Sequence, residues 1–210
     1  MNRRAGVAAF DFDGTLVPGD SLRPFLTQLL GRRRFAAVLG RAGAPMLVGY
    51  GRDGRDGAKK ALLVRAVAGL PATAVAAAGE AFGAGLASRV RPEMTSRLDW
   101  HRAREHRLVL VSASLADYLE PFGRLVGFDD VIATRLEVAT DGRLTGQLAG
   151  NNVRAEEKAT RLAGLLGSGP VELWAYGDSA GDRELLAMAD HPTFVGRRRR
   201  APHGNGNRPD

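Results

Sequence analysis

The period of the apolar positions changes twice along this chain. Residues 7–10, Val-Ala-Ala-Phe, form a short continuous apolar run, the pattern of a strand buried on both faces. From residue 17 to 90 the spacing becomes helical. Ser21 can N-cap a helix that starts at Leu22, with Pro24 tolerated in its first turn and Leu22, Phe25, Leu26, Leu29 and Leu30 on one stripe. Further helices are expected over about 35–39, 58–68 and 72–90, with a loop at 49–54 (Gly-Tyr-Gly-Arg-Asp-Gly). Beyond residue 91, helices and strands alternate: helix 95–105, strand 107–112, helix 115–125 and strand 131–133. A hairpin follows, formed by 135–138 and 144–148 around Asp141-Gly142, then helix 155–166, strand 171–176, helix 181–188 and strand 193–195.

Alternating strands and helices predict an α/β fold, a parallel sheet covered on both faces, with a helical lobe inserted after strand one. The domain reading is a catalytic core of 1–16 and 91–196, an inserted helical unit of 17–90, and a disordered basic tail of 197–210.

Composition narrows the chemistry. There is no cysteine, which excludes disulfides, thiolate catalysis and zinc–thiolate sites and suits a reducing cytoplasm. No secretory signal or membrane-spanning segment is expected. The net charge of +7 is uneven: 17–90 carry eleven Arg/Lys against four Asp/Glu, whereas 1–16 and 91–196 together carry fourteen against eighteen. A basic insert on an acidic core would draw an anionic substrate toward a cation-binding carboxylate site. Arginine outnumbers lysine 27 to 3, which reflects coding bias rather than nucleic-acid recognition, and no nucleic-acid partner is expected. The Arg197-Arg198-Arg199-Arg200 run has no interleaved aromatics and reads as solvated tail. His101, His106, His191 and His203 lack metal-ligand spacing and are expected in surface or capping roles. Trp100 and Trp174 are expected in or beside the core.

Four chemical signals stand at successive strand or helix ends, where ligands gather in open α/β folds. The first strand delivers Asp11-Phe12-Asp13-Gly14-Thr15-Leu16. Two carboxylates two residues apart are expensive to bury without a cation or a protonation role. The strand through Val111 delivers Ser112-Ala113-Ser114, whose hydroxyls could equally cap the next helix. Lys158 lies near the start of helix 155–166, after Gly150-Asn151-Asn152. Strand 171–176 delivers Gly177-Asp178-Ser179-Ala180-Gly181-Asp182.

This ordered set resembles the haloacid dehalogenase superfamily of hydrolases, subfamily IB, the phosphoserine-phosphatase-like branch. The resemblance covers residues 7 to about 196 and implies a Rossmannoid core with a helical cap of the C1 type between strand one and the second motif. It also implies a magnesium-dependent phosphatase that hydrolyses a phosphate monoester of a small or lipid-linked metabolite through an aspartyl-phosphate. Asp11 would be the nucleophile and Asp13 the acid/base. Mg2+ would sit on Asp11, the Asp13 carbonyl and Asp178, with Asp182 and Ser179 in support. Ser112, Ala113, Gly14, Thr15 and Lys158 would hold the phosphoryl group. Asp20, Arg23, Lys59 and Lys60 are the candidates for substrate selection in the cap. Two alternatives are a phosphotransferase or phosphomutase on the same site, and a non-catalytic anion-binding adaptor.

Overall fold

The computed structural model describes residues 5–196, without the side chains of Asp53 and Arg55; the 197–210 reading and His203 lie outside them. Five parallel strands form one sheet in the order β3-β2-β1-β6-β7, with β1 (Ala5–Phe10) central. Its neighbours are β2 (Arg107–Leu115) and β6 (Val171–Gly177), with β3 (Asp130–Thr134) and β7 (His191–Phe194) outside them. The two-residue period sorts β1 between two cores. Val7 and Ala9 pack with Val109, Val111, Leu173 and Ala175 in one cluster. In that cluster they meet Leu162 of α6 (Glu156–Leu166) and Leu185 of α7 (Arg183–Ala187). Ala8 and Phe10 face the other, larger cluster, with Met94 and Leu98 of α4 (Pro92–Arg102) and Leu119 and Phe122 of α5 (Ala116–Val126). The chain moves outward from β1 through β2 to β3 and then returns to β6 on the opposite side. The carboxyl ends of β1 and β6 therefore flank a topological switch point, the crevice where open α/β sheets bind ligands.

Between β1 and β2 come α1 (Leu22–Leu30), α2 (Arg32–Val67), α3 (Ala72–Ala87) and α4. The first three share the larger core cluster with the sheet rather than enclosing a core of their own. On α3, Gly79 and Gly83 let the backbone come close to α5: a Cβ on Gly79 would lie 2.1 Å from the carbonyl oxygen of Asp117. Phe25, Phe82 and Tyr118 close this junction, with the Tyr118 ring 4.9 Å from Phe25 and 5.3 Å from Phe82. The hairpin of β4 (Leu136–Val138) and β5 (Leu144–Leu148) forms as expected around Gly142 (φ 78°) and lies against α2. There Gly146 approaches Val64 so closely that a Cβ would sit 2.6 Å from its Cα.

The 35–68 stretch departs from expectation. Helical structure runs from Arg32 through Val67, including the segment 49–54 that reads as a loop. This run is not straight. Eight residues along a helix rise about 12 Å, yet a Cβ on Gly57 would lie 2.1 Å from the carbonyl oxygen of Gly49. Gly54, at φ 59°, supplies the left-handed residue that folds the run back on itself. Smaller differences lie at element ends. Helix 95–105 is α4, ending at Arg102, and 181–188 divides into a 3-10 turn, Ala180–Asp182, and α7. No helix among the described residues is long and apolar enough to cross a membrane.

His101 corrects a second expectation. It is a fully buried residue and not a surface one, with its Nε2 3.0 Å from the Tyr176 hydroxyl and its Nδ1 2.8 Å from Nδ1 of His106. Burial, followed by the charges of His106, Arg97 and Arg104, pulls its pKa down to about 4. Trp174 stacks on His106 and His191, at 4.5 and 4.6 Å, and Trp100 packs edge-on against His101 at 4.8 Å.

Two outcomes follow for stability. Unfolding returns His101 to its ordinary value of 6.5, so its contribution is complete above that pH and is lost as pH falls toward about 4. Urea titrations at pH 7 and pH 4.5 should show this as a slope component approaching about 1.4 kcal/mol per pH unit, absent in His101→Gln. Gly79→Ala should lower stability by about 1–3 kcal/mol, since the new methyl overpacks the α3–α5 junction. The shift of its urea midpoint measures this.

Candidate active site

Asp11 follows the last residue of β1, and its amide donates to the carbonyl of Tyr176 at 2.9 Å, aligning it with the end of β6. Phe12 alternates inward and packs edge-on with Phe122 at 4.9 Å, so Asp11 and Asp13 both line one cleft. Gly14, at φ 87°, then reverses the chain, with hydrogen bonds from Gly14 N to Val17 O and from Val17 N to Phe12 O. Glycine is required here twice over: besides the positive φ, a Cβ would sit 2.0 Å from Oδ2 of Asp178. The same reversal carries Thr15 away from the cleft. It is fully buried and its hydroxyl meets no partner among the described residues, so its side chain does not face the proposed phosphoryl site.

Lys158, two residues inside α6, donates to Oδ1 of Asp11 and Oδ1 of Asp182, each at 2.5 Å. All three side chains are almost fully buried. Burial opposes the charge on Lys158, but the two carboxylates outweigh it and raise its pKa. Burial raises the Asp11 pKa to about 6 against the opposing pull of Lys158. Asp182 has no idle oxygen, because its Oδ2 accepts from the amides of Asp178 and Ser179 and from the Ser179 hydroxyl. Ser179 in turn caps the 3-10 turn by accepting from Gly181 N. Ser179 thus braces Asp182, and Asp178 is left facing Gly14 and Asp11.

Carboxylate oxygens of Asp11, Asp178 and Asp182 come within 4.8 Å of one another. Within hydrogen-bond reach these three carboxylates meet one ammonium, Lys158, while Arg91 acts on Asp178 from the cleft wall, so the cluster itself carries an excess of negative charge. A hard divalent cation with oxygen ligands fits that excess. Burial, then the nearby Asp182, raises the pKa of Asp178 against the pull of Lys158 and Arg91.

Asp13 takes its hydrogen bonds from hydroxyls rather than from an ammonium. Its Oδ2 accepts from Ser114 Oγ at 2.5 Å and Ser21 Oγ at 2.9 Å, and burial raises its pKa to about 7. This replaces the capping role expected of both serines. Ser21 stands at the start of α1 but makes no cap hydrogen bond, and the residue preceding α5 is Leu115, β2 continuing through Ser114 with a bulge. Ser112 lines the cleft, its Oγ accepting from Ser114 N at 3.1 Å, beside Ala113.

The cleft is about 540 Å³ and takes its other wall from the insert: Pro18, Gly19, Asp20, Leu22, Asp56 and Lys59. Asp20 lines it while accepting the Arg23 amide at 3.1 Å, which shapes the first turn of α1. Arg23 and Lys60 are exposed and stand outside the cleft lining. Lys59 turns inward, donating to the Ala113 carbonyl at 2.5 Å and to Asn152 Oδ1 at 2.6 Å. Burial lowers its pKa to about 8 against the pull of Asp56, Asp13 and Asp20. Asn152 also donates to Asp56 at 2.8 Å and accepts from Thr134 at 3.0 Å, tying the insert to the core. Asn152, Asp56, Arg91 and Arg154 line the cleft without having been marked as site residues by sequence. The only signal for Asn152 was its place in the loop before α6.

The chain is similar to known proteins over most of its length. The family model for haloacid dehalogenase-like hydrolases matches residues 8–187. Protein CicA of Caulobacter vibrioides is 39% identical over 196 residues, which is 92% of this chain and 87% of that one. A crystal structure of a protein with unknown function from Bordetella pertussis Tohama I aligns with a TM-score of 0.70 at 26% identity, covering 88% of this chain and 87% of that one. A probable phosphoserine phosphatase from Vibrio cholerae shares the fold, with a TM-score of 0.61 at 20% identity over 89% of this chain and 54% of that one. With its strand order, its ordered carboxylates and a family match over most of its length, the chain belongs to the haloacid dehalogenase-like hydrolases.

Proposed function

We propose that this phosphoric monoester hydrolase is a magnesium-dependent phosphatase for a small or lipid-linked metabolite, with Asp11 as nucleophile and Asp13 as acid and base. The observation that carries the reading is the contrast between the two aspartates. Asp11 is paired with a buried ammonium and stays largely anionic near neutral pH, whereas Asp13, among neutral donors at about 7, can hold a proton there.

Asp11 attacks phosphorus while Lys158 and the Ser112 hydroxyl, with amides of the 112–114 segment, offset charge on the phosphoryl oxygens. Asp13 protonates the departing oxygen and later takes a proton from the water that opens the acyl-phosphate. Mg2+ held by Asp11, the Asp13 carbonyl and Asp178 would cancel charge and polarise the phosphoryl group. Asp182 and Ser179 keep Lys158 and the 178–182 turn in place. We assign residues 17–90 the role of a cap, in which Asp20 and Lys59 present opposite charges to the part of the substrate beyond its phosphate. The cleft volume suits a small metabolite or the head group of a lipid-linked one.

The test is a panel of phosphorylated metabolites assayed for free phosphate with Mg2+. Asp11→Asn should lower turnover by roughly 10³-fold or more, and EDTA should abolish it until Mg2+ is restored. Activity that survives both changes would sink the mechanism, and a phosphoryl group transferred to an organic hydroxyl would identify a phosphotransferase instead. Gly14→Ala should reduce kcat/KM by about 100-fold, because the added methyl displaces Asp178 by the order of an ångström; steady-state kinetics on the best substrate of the panel measures it. Asp20→Ala should depress activity on one substrate class only, which places selection in the cap.

A further inference from the structure

The surroundings of Asp13 distinguish its two oxygens. Ser114 Oγ and Ser21 Oγ both donate to Oδ2. A serine hydroxyl has a single proton. With the Ser21 proton directed at Asp13, the 2.9 Å contact between Ser21 Oγ and the Tyr118 hydroxyl must have the phenol as its donor. The 3.2 Å contact between the two serine oxygens is then left without a proton of its own. Ser21, Ser114 and Tyr118 are 2%, 6% and 0% exposed, so water does not replace any of these hydroxyls. Oδ1 is also sealed from solvent, yet it has no hydrogen-bond partner among the described residues. A buried carboxyl oxygen without a partner is costly unless it holds a proton or receives one from a ligand.

We propose that Ser114, Ser21 and Tyr118 form a hydroxyl clamp that keeps Asp13 Oδ2 as a permanent acceptor and makes Oδ1 the oxygen that moves the proton. The proposal rests on the phosphatase reading above and names positioning residues within it. In the first half-reaction a carboxylate oxygen of Asp11 forms a bond to phosphorus. The ester P–O bond breaks with its electron pair on the leaving oxygen, which takes the proton from Asp13 Oδ1. In the second, water attacks phosphorus, Asp13 Oδ1 receives the water's proton, and the Asp11 O–P bond breaks to restore the carboxylate.

The clamp also has a place in the fold. Ser114 stands at the end of β2, Tyr118 on α5 and Ser21 at the start of α1 in the insert. The packing of Tyr118 against Phe25 and Phe82 fixes the phenol where α1, α3 and α5 meet. The set of three donors is complete only when insert and sheet are together, which ties proton delivery to a closed cleft.

The experiment measures kcat/KM with Mg2+ for aryl phosphates running from 4-nitrophenyl to phenyl phosphate, because a poor leaving group needs the proton and a good one departs without it. Ser114→Ala should lower kcat/KM by about 10–100-fold for phenyl phosphate but by less than about 3-fold for 4-nitrophenyl phosphate. Ser114→Thr, which keeps the hydroxyl, should return the shallow dependence of the unaltered protein. Tyr118→Phe removes one oxygen and keeps the ring, so it should steepen the dependence in the same direction even where Ser114→Ala fails to fold. Equal losses on both esters, or no loss, would overturn the clamp. Turnover of 4-nitrophenyl phosphate by the unaltered protein, lost in Asp11→Asn, tests the phosphatase reading separately.

Discussion

The ion triad of Asp11, Lys158 and Asp182 is the constraint on which the other features depend. An ammonium that is 2% exposed needs both carboxylates, and neither carboxylate is stable in that position without it. The triad ties the end of β1 to the first turn of α6 and to the loop after β6, closing the switch point of the sheet. Asp182 extends the tie through its second oxygen to the amides of Asp178 and Ser179, so the loop bearing Asp178 is held by the same residue that holds Lys158. Gly177 belongs to this construction as well, since a Cβ there would lie 2.5 Å from the Cβ of Asp182. Removing Lys158 would leave two buried carboxylates without their cation, costing about 3–5 kcal/mol. Fold and chemistry therefore share their most expensive component.

A second layer of organisation joins the insert to this centre. Residues 17–90 do not close on themselves: Phe25, Leu63, Val75 and Phe82 complete the same apolar cluster as Phe10 and Phe122 of the core. Polar contacts act at the cleft edge, where Lys59 reaches the Ala113 carbonyl and Asn152 reaches Asp56. Apolar burial holds the lobe against α5, and the polar set fixes how its inner face meets the 112–114 segment.

Much of this arrangement was legible in the residues because it follows from local rules. A short apolar run ending in two aspartates and a glycine specifies a buried strand and a sharp turn, and periodic alternation from residue 91 specifies the parallel sheet. The order of Asp11, Ser112, Lys158 and Asp178 matches the order in which strands and helices reach the cleft. What escaped notice depends on contacts distant in sequence. Lys59 and Lys60 are adjacent and chemically alike, and only the course of the α2 run turns one inward and the other to solvent. The fold-back of that run at Gly54 is set by a backbone approach between Gly49 and Gly57, which composition records only as abundant glycine. His101 has the neighbours of a surface residue in sequence, and its burial comes from Phe10, Trp174 and Tyr176 on the sheet. Ser21 and Ser114 carry the marks of helix caps, and their actual partner, Asp13, is eight residues from one and 101 from the other.

The two aspartates of the first strand end show how one structural period yields two chemical states. Their spacing of two sends both toward the cleft, while Phe12 between them anchors the turn in the core. From that common start their environments diverge. Asp11 meets a cation contributed by a helix 147 residues later, whose charge opposes the upward push of burial. Asp13 takes its hydrogen bonds from neutral hydroxyls, which stabilise its anion less, so burial, with the charges of Asp20 and Asp11 adding to it, carries its pKa higher. In the roles proposed for them, the difference between nucleophile and proton carrier lies not in the residue type or in the strand, but in whether the hydrogen-bonding partner brings a charge or only a dipole.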